Sequence, residues 1–250
     1  MRPSIPRMYR KILVVSRERI ESYMMHGPDP SSLSASNNLV KSTKLDAAGF
    51  LREVASVYSS MSTYSDSGVV YDCWGQERKY ELHFETRFLG PKLFRFTSRK
   101  PHPFPPLSHL ITTCSCGFDG ESYYLALAIP NMQPTREVYD SISLPIAGAT
   151  ALSSGAAHTI GRLLFTRVGG FGLSDILDPE IVREEVFEDN DCMVIQGKHP
   201  HGSDVRVWID IDNRSIRKLC TSVSGFLTEE IRRDIRVNEP MKADEVRQSV

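Results

Sequence analysis

Lys79-Tyr80-Glu81-Leu82-His83-Phe84-Glu85-Thr86-Arg87-Phe88 divides by parity. Tyr80, Leu82, Phe84 and Phe88 fall on one side, and Lys79, Glu81, His83, Glu85 and Arg87 on the other. Successive side chains of a strand point to opposite faces, so this run reads as a strand with one apolar and one solvated face. Such strands belong to antiparallel sheets, because strands of parallel sheets are apolar on both faces.

Strand signals continue on both sides of this segment. Residues 68–74 read as the strand before it, with Gly90-Pro91 turning the chain into 93–97, where Phe94 and Phe96 share a face. Residues 111–118 and 122–127 flank Asp119-Gly120, a pair suited to a hairpin turn. Further strands are expected at 182–188, 192–198, 205–211, 216–223 and 230–237, with turns at Asp189-Asn190-Asp191 and Asp212-Asn213-Arg214.

Helical signals are few. Leu51, Val54, Tyr58 and Met61 recur every three or four residues behind Asp46, a good cap. Residues 147–165 are rich in small side chains and predict a helix that Ser153 or Ser154 could cap. About nine or ten strands with two helical segments exclude a doubly wound α/β fold. The expected class is mainly β with α: a strongly curved antiparallel sheet, an open and incomplete β-barrel, with helices covering the concave face. Residues 1–44 are expected to form a disordered leader and residues 45–250 a single half-barrel domain.

Composition narrows the function. A chain of 250 residues with 40% hydrophobic and 24% charged residues has the make-up of an ordinary globule. A formal charge of −1 argues against nucleic acid as a partner. The short basic stretch Lys92, Arg95, Arg99 and Lys100 reads as a solvated edge. No apolar run approaches the ~20 residues that span a bilayer, so no transmembrane segment is expected. Arg2, Arg7, Arg10 and Lys11 precede an apolar stretch, Ile12 to Val15, that is too short for a signal peptide. Localisation therefore stays open on the residues alone.

Catalytic and metal signals are thin. Cys73, Cys114, Cys116, Cys192 and Cys220 are an odd, scattered set and read as buried reduced thiols. Cys114 and Cys116 share a strand face, but only His199-Pro-His201 could complete a zinc site, and its spacing is wrong; no metal and no cofactor are expected. Ser153-Ser154-Gly155 lacks the nucleophile elbow, and no phosphate-binding glycine loop occurs. Capping accounts for the serines, and a hydrogen-bonded, half-buried side chain accounts for His158. Asp210 and Asp212 share a face and read as solvent-facing carboxylates. Gly169-Gly170-Phe171-Gly172 reads as a turn. No catalytic residue is assigned.

Several segments, taken in order, resemble one family. They are the helix-to-strand junction from Val57 to Gly68, then Phe84-Glu85-Thr86-Arg87-Phe88-Leu89-Gly90-Pro91 followed by Leu93-Phe94-Arg95-Phe96. Phe118-Asp119-Gly120-Glu121-Ser122-Tyr123-Tyr124 and the small-residue run Ala147-Gly148-Ala149-Thr150 with Gly155-Ala156-Ala157-His158-Thr159 come next. Val207-Trp208-Ile209-Asp210 and Val237-Asn238-Glu239-Pro240 close the set. Together these resemble uncharacterised bacterial proteins of the lipoprotein-carrier (LolA/LolB-like) superfamily. The resemblance implies an open barrel with helices across its mouth, and a lipid or lipoprotein acyl chain as partner. It implies an extracytoplasmic location and no enzymatic activity. A protein- or peptide-interaction or sensor domain of the cell envelope is the alternative. The parity of the strands aims Leu82, Phe84, Phe94 and Phe96 at the concave face, making them the candidate ligand-binding residues.

Overall fold

The computed structural model describes residues 46–75, 77–102 and 104–247. The leader expected over 1–44 lies outside the described residues. Asp46 caps the first helix: its Oδ1 accepts from the Ala48 amide at 3.3 Å and its Oδ2 from the Gly49 amide at 3.2 Å. This satisfies two donors that a helix start leaves without intrahelical partners. Helix α1 (Ala47–Ser59) then buries Phe50, Leu51, Val54 and Tyr58 along one stripe. The Tyr58 hydroxyl accepts from the Ile216 amide at 3.1 Å and ties the helix to the sheet.

The strands are β1 (Thr63–Trp74), β2 (Glu77–Leu89), β3 (Leu93–Pro101), β4 (Ile111–Phe118), β5 (Tyr123–Ala128) and β6 (Thr135–Tyr139), then β7 (Leu177–Phe187), β8 (Asn190–Lys198), β9 (Asp204–Asp210), β10 (Ile216–Val223) and β11 (Phe226–Val237). They form one open antiparallel sheet in the order β6-β5-β4-β3-β2-β1-β11-β10-β9-β8-β7. The chain meanders from the centre out to β6, crosses to the far edge at β7, and meanders back until β11 pairs with β1. Bulges at Ser65/Ser67 and Asp72/Cys73 in β1, and at Ile216/Lys218 in β10, bend the sheet.

The crossover carries α2 (Ser143–Leu152) and α3 (Ala156–Leu164), and a short α4 (Ala243–Arg247) follows β11. With α1, helices α2 and α3 cover the concave face, and one apolar core fills the space between. It holds Leu51, Val54 and Tyr58 of α1, Ile146 and Ala149 of α2, and Ile160 and Leu163 of α3. From the sheet come Leu82, Phe84, Phe94, Phe96, Ile195 and Val207.

The alternating segment that opened the sequence reading is an internal strand, β2, paired with β1 and β3. Several details differ from the sequence reading, among them earlier starts for β7 and β11, at Leu177 and Phe226 rather than 182 and 230. Strand β1 begins at Thr63 rather than 68, because Tyr64 and Asp66 turn inward within a polar stretch that masks the pattern. Strand β6 carries polar, exposed side chains and gave no alternating signal. The helix expected over 147–165 is two helices, since Ser154 (φ 51°) and Gly155 (φ 103°) are left-handed and interrupt it. The turn expected at Asp189-Asn190-Asp191 is made by Glu188 and Asp189, both at positive φ, one residue earlier than expected.

Candidate functional site

Strand pairing sets the inward side chains in rows across the sheet. One row runs Asp66, Thr86, Phe96, Cys116 and Leu125, from β1 to β5. The next runs Arg232, Gly68, Phe84, Ser98 and Cys114, and a third runs Tyr64, Phe88, Phe94 and Phe118. Leu82 lies beside Val70 one row further on. The four candidate ligand-binding residues therefore share the concave face and are all buried there. Phe84 stacks on Phe96 with ring centroids 5.7 Å apart, and Phe94 meets Phe165 edge-on at 5.0 Å. Gly68 makes room for this packing: a Cβ there would sit 2.2 Å from the Phe84 ring.

A charged cluster that the sequence reading missed lies among these apolar side chains. Asp66, Glu230 and Arg232 are buried to 0%, 3% and 1% exposure. Arg232 donates through Nη1 to Asp66 Oδ2, through Nε to Glu230 Oε1 at 2.6 Å, and through Nη2 to the Ala156 carbonyl at 2.9 Å. Its guanidinium also lies over the Phe84 ring, 4.8 Å from the centroid. The Tyr64 hydroxyl donates to Asp66 Oδ2 at 2.6 Å, and Thr159 Oγ1 donates to Glu230 Oε2 at 2.9 Å. Burial and the nearby Asp66 charge push the Tyr64 hydroxyl well above its ordinary pKa, so it serves as a donor. Two buried polar atoms beside the cluster have no hydrogen-bond partner: Asp66 Oδ1 and Thr86 Oγ1. No sequence signal marked the cluster, because β11 carries charges on both parities over Glu229-Glu230 and Arg232-Arg233-Asp234.

The helices are attached to the sheet unequally. Helix α3 and its N-terminal linker are held by the Arg232 and Thr159 bonds, and by Ser154 Oγ donating to Asp72 Oδ2 at 2.7 Å. Helix α2 packs on β4 and β5. A Cβ on Gly148 would lie 2.7 Å from Leu125 Cδ2. Among the described residues, its side-chain hydrogen bonds run from Ser143 Oγ to the Arg167 carbonyl and from Thr150 Oγ1 to the Ile146 carbonyl of the same helix. Neither reaches the sheet.

The other chemistry weighed from the sequence is structural in its surroundings. His158 is half-buried with Nε2 2.9 Å from the Gly169 carbonyl oxygen, and burial lowers its pKa. Ser153 Oγ accepts from the Ala157 amide at 3.1 Å. Asp210 is buried rather than solvent-facing: it pairs with Arg217 at 2.7 Å and accepts from the turn amides of Asp212 and Asn213. Cys114 and Cys116 are free thiols, and burial pushes Cys114 to about 12. His199 and His201 flank Phe171, with ring centroids 5.0 and 4.9 Å from it. Two surface hollows, of about 420 and 300 Å³, are lined largely by outward side chains such as His83, Glu85, Arg87 and Arg99.

No family model matches the chain, and no curated protein matches it in sequence. Solved structures similar to it include the lipoprotein LppX of Mycobacterium tuberculosis, at 13% identity and a TM-score of 0.47, covering 79% of this chain and 98% of that one. A LolA superfamily protein from Nitrosomonas europaea is 12% identical with a TM-score of 0.33, covering 82% and 99%. The MucA/MucB complex of Pseudomonas aeruginosa is 11% identical with a TM-score of 0.46, covering 81% and 61%.

Proposed function

We propose that this chain is a non-enzymatic binding module that holds an apolar ligand, a lipid or an acyl chain, between its curved sheet and the overlying helices. The observation that carries this reading is the unequal attachment of the helix layer. Buried polar bonds pin α3, whereas α2 meets β4 and β5 through apolar contacts. Apolar contacts are non-directional and can be exchanged for an acyl chain at little cost, whereas buried hydrogen bonds cannot. Lifting α2 would open the apolar rows from the β4–β5 side, and Leu82, Phe84, Phe94 and Phe96 lie further along the same concave face. The reading includes a place in the cell envelope, as the sequence resemblance implies.

Titration with a fluorescent acyl probe tests it. The parent should show saturable uptake. Leu82→Asn should weaken uptake more than Glu81→Gln, which changes an exposed side chain on the opposite face. A parent that binds no acyl probe would make the concave face a filled core and end this reading.

One observation favours a second reading, the docking of a protein or peptide. Strand β6 ends the sheet, pairs with β5 alone, and exposes Thr135, Arg136, Glu137 and Val138. Such an edge can accept an added strand.

A further inference from the structure

We infer that the bound ligand is an apolar chain ending in a hydroxyl, and that Asp66 and Thr86 together receive this head. The inference rests on the binding-module reading and assigns the class of ligand. Asp66 and Thr86 are directly opposite each other on β1 and β2, and both are 0% exposed. Cross-strand partners on one face have Cβ atoms about 4.5–5.5 Å apart, which places their polar tips around one spot. Asp66 Oδ2 is used by Arg232 and Tyr64, whereas Oδ1 has no partner, nor has Thr86 Oγ1. A burial this complete ordinarily demands hydrogen bonds, so the two orphaned atoms mark a place whose hydrogen-bonding capacity a ligand's polar group would satisfy.

The unmet capacity has a definite chemistry. A carboxylate oxygen only accepts, and a threonine hydroxyl both donates and accepts. An alcohol can donate to Asp66 Oδ1 and accept from Thr86 Oγ1 at the same time. A carboxylate head cannot donate, and it would enter a cluster of two carboxylates and one guanidinium, whose formal charge is already negative. The other nearby cation, Arg87, is turned away and donates to the backbone carbonyls of Asp66 and Thr86. From this spot the row continues through Phe96, Cys116 and Leu125 to the contact with Gly148 of α2. Five strands at the usual spacing give a track on the order of 19 Å, polar at one end and apolar along the rest.

The test uses the full chain loaded with Nile red, an uncharged dye, displaced by decan-1-ol or by decanoate. Both titrations are run on the parent and on Thr86→Val, which keeps the shape of the side chain and removes Oγ1. The parent should favour the alcohol. Thr86→Val should reduce that alcohol-to-carboxylate preference about five- to tenfold, the loss of one hydrogen bond. Without ligand its melting temperature should equal or exceed the parent's, since Oγ1 has no partner to lose. An unchanged preference in Thr86→Val, or a parent that favours decanoate, overturns the inference and leaves the binding module standing. A melting temperature several degrees lower also overturns it, because the hydroxyl would then belong to the core. A parent that takes up neither dye nor alcohol overturns the inference and the binding reading together.

Discussion

Arg232 shows how differently two ion pairs of the same residue types can count. It is buried with Asp66 and Glu230, whereas its neighbour Arg233 pairs with Glu188 at side-chain exposures of 44% and 39%. Removing one member of a buried group strands the remaining charges in a poor solvent. Arg232→Met should therefore cost about 3–5 kcal/mol in urea unfolding. Breaking the exposed pair with Glu188→Ala should cost less than about 1 kcal/mol. Equal losses would mean that the buried cluster is solvated. A second expectation concerns acid. Burial lowers the pKa of His158 and of His199 from the ordinary 6.5, and the neighbouring Arg162 and His201 add to this. The unfolded chain then binds protons that the fold resists, so these groups lend full stability above 6.5 and lose it as pH falls below that value. The urea midpoint should drop between pH 7.5 and 5.5, and His199→Gln should make the drop smaller; a midpoint rising over that interval would contradict the assignment. At this scale the sequence was least informative. Nothing in the run Glu229 to Asp234 shows that two of its charges turn inward, because a strand polar on both parities hides its buried side.

Two glycines in helices make opposite demands. At Gly49 in α1 an added Cβ would come no nearer than 3.4 Å to any neighbour, whereas at Gly161 in α3 it would lie 2.7 Å from Ile146 Cδ1. Alanine is better than glycine in a helix by up to about 1 kcal/mol. Gly49→Ala should thus raise the urea midpoint. Gly161→Ala meets a fully buried isoleucine, and overpacking costs about 1–3 kcal/mol, so its midpoint should fall. Pairing it with Ile146→Val should recover part of the loss; a double variant no better than the single would show that the two helices do not meet there. Elements with one clean apolar face were legible in advance: α1 from its stripe and β2 from its alternation. Strand β6 was not, because an exposed edge strand need not bury either face, and the break at Ser154-Gly155 depends on backbone angles that serine does not advertise.

Across the whole molecule the five cysteines report on the integrity of the core. All are free, and burial lifts Cys114 and Cys220 to about 12 and Cys192 to about 11. Thiolate is the reactive form, so iodoacetamide at pH 8 should label the native protein slowly and the urea-unfolded protein fully. Rapid labelling of the native state would show that the sheet opens often. The antiparallel class and the helix-covered face could be read from the chain, but the order of the strands could not. The seam between β1 and β11 joins residues as distant as Tyr64 and Val237, and local patterns carry no record of so remote a neighbour. That seam has a consequence for how the molecule can be divided. Each half of the sheet is a continuous run of hairpins, and the covalent link between them passes only through the crossover at 140–176. The chain is thus a two-piece object with a single tether. Cut between Ser154 and Gly155 and produced as separate fragments, the pieces should recombine through the β1–β11 zipper into a soluble heterodimer that co-elutes in size exclusion.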